Sequence, residues 1–306
     1  MGAGGSKRAE NACFVLPFCF IHSVGEKNMN ELPLKIKKAI SRYQPVEVEG
    51  FTFYPITVDE YDNFLIASSA IDFMQQSLPV ALLSVPLLTA YWQLDIENAE
   101  NGTPVDGKFS RALLFMAMAL RIMPDAEPIE RVKAFQVEFD RKDPKKLISL
   151  RFRLNGTEQC KITPVQFQRI RPVLAAQNGI KLQSDTANPE LVQAERDIAE
   201  QNSPNLDINL EDMICSVSAL TGTTEDEIYG WPIKKLNQTV SALRRAMDYI
   251  ICGVGATQGA KWKNGNPSPS PFFERTKEKS SALIAAEQFA NGGGARAISN
   301  PGKQVT

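Results

Sequence analysis

Leu147-Ile148-Ser149-Leu150-Arg151-Phe152-Arg153-Leu154, followed by Asn155-Gly156-Thr157-Glu158-Gln159-Cys160-Lys161-Ile162, is the stretch that decides the fold class. Apolar and polar residues give way to one another along 147–154, Asn155-Gly156 is a hairpin turn, and 159–162 returns as a second strand. Upstream, 132–139 reads as a further strand, joined through the turn Lys142-Asp143-Pro144-Lys145. Three successive short strands make a β-meander. Just before it, 110–123 is apolar on every face of a helix, the mark of a buried element, and Pro124 ends it. The period changes from helical to extended within one stretch of chain, so we expect an α+β fold.

Working back toward the N-terminus, Val46-Glu47-Val48-Glu49-Gly50-Phe51-Thr52-Phe53 reads as a small hairpin around Gly50, after a short helix within 32–43. Thr57-Val58-Asp59-Glu60 has the form of a capping box, which predicts a helix from there to Met74. Working forward, Thr163-Pro164-Val165-Gln166 is a second capping box with proline at the first helical position, and Asn178-Gly179 ends that helix. A polar helix is expected at 189–201, then Ser203-Pro204 as a linker. A three-helix unit follows at 210–220, 224–229 and 232–252. Its last helix carries Ile233, Leu236, Val240, Leu243, Met247 and Ile250 as a packed stripe. Beyond Gly253 the periodicity is lost. The expected organisation is a leader at 1–28, an α+β domain with a mixed helical body and small antiparallel meander at 29–184, an all-helical domain at 185–253 and an irregular tail at 254–306.

Met1-Gly2-Ala3-Gly4-Gly5-Ser6 fits a myristoylation pattern, and Lys7-Arg8 before the apolar run 12–21 mimics a signal peptide, although Pro17 breaks that run. Gly25-Glu26 is encoded by codons that can contain the purine-rich ribosome-binding core of bacterial messages, a short spacer before Met29. We therefore expect Met29 to be the natural start. The longest apolar run, 78–92, contains Pro79, Pro86, Ser84 and Thr89 and falls short of the roughly 20 residues that a membrane helix needs. A soluble, cytoplasmic protein without a membrane partner is expected.

Composition narrows the chemistry. With 34 Lys and Arg against 35 Asp and Glu, the net charge of −1 gives no global field for nucleic acid. His22 is the one histidine among 306 residues, so His-based metal sites and Ser-His-Asp machinery are excluded downstream of it. Cys13, Cys19, Cys160, Cys215 and Cys252 form no Cys-x-x-Cys pair, and those in the body read as core residues. No phosphate loop, dinucleotide fingerprint, Gly-x-Ser-x-Gly or calcium loop is present. The best carboxylate cluster, Asp59, Glu60 and Asp62, sits at a helix start, where the macrodipole favours acids. The meander is basic, and Arg151 and Arg153 on one strand face read as a solvated surface or as a docking surface for an acidic partner. The helix order of the C-terminal unit resembles helix-turn-helix superficially, but its acidic first helices would repel phosphate. We expect no catalytic activity, no cofactor and no metal.

Partner binding is assigned to the segment after the last helix. Lys261-Trp262-Lys263-Asn264-Gly265-Asn266-Pro267-Ser268-Pro269-Ser270-Pro271-Phe272-Phe273 alternates proline with small residues between aromatic anchors. Trp262, Phe272 and Phe273 are costly to leave in water, so we expect them to dock, with Lys261 and Lys263 beside them.

Several words of this sequence resemble proteins from phages and prophages of Gram-positive bacteria. They are Phe53-Tyr54-Pro55-Ile56, Asp72-Phe73-Met74-Gln75-Gln76-Ser77-Leu78-Pro79, Gln177-Asn178-Gly179, Asn188-Pro189-Glu190-Leu191-Val192 and Lys261 to Pro267 with Pro271-Phe272-Phe273. The resemblance is to the tail-morphogenesis region, and the helical C-terminal half is similar in character to tail assembly chaperones. It implies a chaperone-like binder of the tape-measure protein or of other tail proteins, with a homo-oligomer left open. A structural tail or head-tail component, and a DNA-contacting packaging or regulatory protein, are the alternatives.

Overall fold

The computed structural model describes residues 32–105, 107–154, 158–182, 209–260, 268 and 270–272. The leader, the helix expected at 189–201 and most of the tail lie outside them. The described elements are helix α1 (Leu34–Ser41), the hairpin β1 (Val46–Val48) and β2 (Phe51–Phe53), helices α2 (Tyr61–Ile71), α3 (Leu87–Glu100), α4 (Lys108–Leu120) and α5 (Pro128–Lys133), strands β3 (Gln136–Phe139), β4 (Leu147–Leu154) and β5 (Glu158–Ile162), and helices α6 (Pro164–Asn178), α7 (Leu210–Thr221), α8 (Glu225–Tyr229) and α9 (Ile233–Thr257). The fold is α+β, as expected. The chain divides into two compact units between Val240 and Ser241, inside α9.

In the first unit α4 is the centre. Every residue of 112–120 is buried, which is why its sequence carries no polar face. Helix α2 packs along it, with Phe64 and Phe115 ring centroids 5.9 Å apart. Tyr91 of α3 is fully buried and donates its hydroxyl proton to the Ala70 carbonyl at 2.8 Å. Removing that hydroxyl from water pushes its pKa well above the ordinary tyrosine value. Strands β3, β4 and β5 form an antiparallel meander in that order. Trp92 holds the meander to the helices, stacking on Phe139, tilting against Phe109 and donating its indole N–H to the Pro144 carbonyl at 2.9 Å. The hairpin turn at Glu49 and Gly50 has both residues at positive φ (53° and 82°), the geometry of a tight two-residue connection.

The two capping boxes differ. At Thr163 the box is complete: its hydroxyl accepts from the Gln166 N–H at 3.3 Å, and Gln166 accepts from the Thr163 N–H at 2.9 Å. At Thr57 it does not form. The Thr57 hydroxyl donates to Asp59, a 3-10 turn occupies Val58–Glu60, and Glu60 is drawn away into an ion pair with Arg131 at 2.6 Å. The same arginine explains a second difference. Residues 132 and 133, expected in a strand, complete α5, because Pro128 starts a helix that aims Arg131 at the Pro124 and Ala126 carbonyls as well as at Glu60.

The C-terminal helices are not set apart from the body in the way the sequence implied. Residues 56–58 and 231–233 clasp each other: Val58 N–H donates to the Trp231 carbonyl at 2.9 Å, and Ile233 N–H to the Ile56 carbonyl at 3.0 Å. Lys234 donates to the Ala176 carbonyl at 2.8 Å. Helices α7 and α8 and the first turns of α9 thus belong to the first unit. Among the described cysteines, Cys160, Cys215 and Cys252 form no disulfide, and Cys252 alone is buried; Cys215 lies exposed on α7. Among the described residues no helix is long and apolar enough to cross a membrane.

Candidate functional site

The residues on which partner binding was placed fall mostly outside the described part of the structure. Trp262, Phe273, Lys261 and Lys263 are not described, and Phe272 is, with 78% of its surface exposed. The helix that precedes them in the chain, α9, runs five residues further than expected, past Gly253 to Thr257.

Its apolar residues recur at three- and four-residue intervals, so Ile233, Leu236, Val240, Leu243, Met247, Ile250, Ile251 and Val254 lie on one continuous stripe. That stripe is not packed along its whole length. Ile233 and Leu236 are fully buried, Val240 and Leu243 are half-buried, and Met247, Ile250, Ile251 and Val254 are exposed by 45%, 55%, 61% and 51%. Four large apolar side chains at i, i+3, i+4 and i+7 form one bare face in the second unit. Covering what remains exposed of each would release on the order of 1 kcal/mol. Isolated apolar residues on a surface need no explanation, but a contiguous helical face is the form in which one amphipathic helix meets another. The expected packed stripe includes Met247 and Ile250, omits Ile251 although it lies within the expected helix, and stops short of Val254 because Gly253 reads as the end of the helix. The stripe's continuation at i+4 past that glycine was the available signal.

The carboxylate cluster is dispersed by the fold. Glu60 is held by Arg131, whereas Asp59 and Asp62 join Glu211, Tyr61 and Tyr229 around a cleft of about 410 Å³ in the first unit. Each acid stands in the first turn of a helix, where backbone N–H groups favour it. Among the described residues no group of three or more His, Cys, Asp or Glu side chains is placed to hold a metal ion.

Two of the words that carry the phage resemblance have structural explanations. Asn178, buried at the end of α6, accepts from the Ile56 N–H at 2.8 Å and donates to the Leu174 carbonyl at 2.9 Å. Gln177 donates to the Phe53 carbonyl at 3.0 Å, and Gly179 closes the helix at φ +76°. Phe53 to Ile56 is the segment they grip, and Tyr54 N–H also donates to the Ala119 carbonyl at 2.7 Å. These words stitch α6 to the hairpin and to α4. No protein-family model matches this chain, and no curated protein or solved structure matches it either.

Proposed function

We propose that this chain is a non-catalytic morphogenesis factor of a phage tail, working in the host cytoplasm as a chaperone-like binder of the tape-measure protein. The observation that carries this reading is the bare face Met247, Ile250, Ile251 and Val254 of α9. The resemblance of 261–267 and 271–273 to proteins of the tail-morphogenesis region supports it. A long, helical, apolar client must be kept soluble until tube subunits surround it, and an amphipathic helix with an open apolar face offers a partner for such a client. Phe272, exposed in the same unit, adds aromatic contact area.

The test is co-expression with a fragment of the tape-measure protein of the same phage. Ile250→Glu with Ile251→Glu should leave the melting temperature unchanged, since both side chains are exposed, while the fragment moves to the insoluble fraction. A soluble complex that survives the double substitution would remove the chaperone reading.

A further inference from the structure

A second site lies in the first unit and does not rest on the tape-measure reading. Strand β3 begins at Gln136, which pairs with Arg151, so the next three residues of β4, Phe152 to Leu154, have a sheet partner on the β5 side alone. Among the described residues no backbone hydrogen bond reaches them from any segment outside the sheet. Three residues without a β3 partner amount to about 10 Å of strand, in which Arg153 is exposed and Leu154 half-buried, while the Phe152 side chain is buried against Phe135. A cleft of about 640 Å³ runs beside this edge, walled on its far side by residues 121–124 and ending at Ala134 and Gln136.

The charge in that cleft is of one sign. Arg121, Arg151 and Arg153 line it, and no carboxylate does. Arg151 is paired with Glu138, which also takes Lys161 at 3.4 Å. Arg153 makes no ion pair among the described residues. Arg121 lies over the Tyr54 ring, 4.2 Å from its centroid, which fixes the guanidinium without neutralising it. The far wall is held rigid from behind, because the buried Arg131 donates to the Pro124 and Ala126 carbonyls. Arg121 and Met123 both take left-handed backbone conformations (φ 55° and 47°), an uncommon arrangement for side-chain-bearing residues that the surrounding contacts must maintain.

We propose that this cleft binds an extended acidic segment of another protein, which adds as a strand to the free edge of β4. Side chains alternate along a strand, so an acidic residue of the incoming segment placed opposite Arg153 meets that guanidinium, with Arg151 one residue pair away beside Gln136 and Arg121 across the cleft. Its other residues meet the apolar surface that Leu154 and Met123 leave exposed in the cleft. The class recognised is therefore acidic residues alternating with apolar ones, with main-chain hydrogen bonds supplying affinity and arginine–carboxylate pairs supplying selection.

The test uses the full chain and a fluorescein-labelled peptide of alternating Glu and Val, followed by fluorescence anisotropy. Saturable binding is expected, weakened about tenfold by Arg153→Ala, the order of one charge-assisted contact, and further by Arg153→Glu. Arg153 is exposed and makes no ion pair among the described residues, so circular dichroism should be unchanged in both. Methylating alternate backbone nitrogens of the peptide should abolish binding, while Ile250→Glu with Ile251→Glu should not affect it. Lack of binding, indifference to Arg153→Glu, or equal binding of the methylated peptide would overturn strand addition. Displacement by millimolar inorganic phosphate or by a single-stranded oligonucleotide would show a general anion site and overturn it too.

Discussion

Arg131 shows how much of this fold hangs on one side chain. It is 6% exposed, and its guanidinium is spent on Glu60, Pro124 and Ala126, joining the start of α2 to the loop behind the arginine cleft. Deleting one member of a buried pair leaves the other charge desolvated without compensation, which costs about 3–5 kcal/mol. Arg131→Ala should therefore lower the urea midpoint by the equivalent of about 3 kcal/mol, and the added Glu60→Ala should return part of that loss, because the stranded carboxylate is then gone. Equal midpoints for the wild type and Arg131→Ala would mean that the pair contributes nothing. The sequence hides this interaction. Glu60 and Arg131 stand 71 residues apart, and each has an ordinary local explanation, one as a cap and the other as one more charge of the basic meander, just before its first expected strand. By contrast, Thr163 and Gln166 were legible, because a capping box is closed within four residues and no distant group competes for it.

The meander is the element whose behaviour should depend on pH. Glu138 of β3 accepts from the Ser149 hydroxyl and faces Arg151 of the adjacent strand and Lys161 of the strand beyond it; the hydroxyl first, then those cations, hold its carboxyl below the usual glutamate range. A carboxylate whose folded pKa is depressed stabilises the fold above its unfolded pKa, and that contribution disappears as pH falls through the depressed value. Glu138→Gln should therefore be less stable than wild type at neutral pH, with the difference closing on acidification, as read from urea midpoints across pH. Parallel curves for the two proteins would show that Glu138 does not titrate with folding. At this scale β4 was legible to its exact ends, since alternation is a local property. Helix α5 was not: Pro128 opens it and Arg131 anchors it outside its own segment.

For the whole molecule, the division between Val240 and Ser241 places α7, α8 and the first turns of α9 with the body. Ile233, fully buried beside the clasp of 56–58 with 231–233, is the residue to probe. Ile233→Ala should cost about 2–4 kcal/mol, and calorimetry of the first unit should still show one transition, because α7 and α8 melt with the helices around α4. Two separated transitions would restore the independent helical domain that the polar linker around Ser203-Pro204 implied. By itself, the sequence determined the fold class, the buried helix α4, the strand boundaries of β4 and the caps of α6. Each of these is written in neighbours a few residues apart, through side-chain period and backbone preference. The tertiary structure alone decided which apolar stripe is covered and which is bare, that Glu60 serves Arg131, and that the β4 edge opens beside three arginines. Burial and pairing depend on what distant segments bring to the same place, and periodicity along the chain carries no record of that.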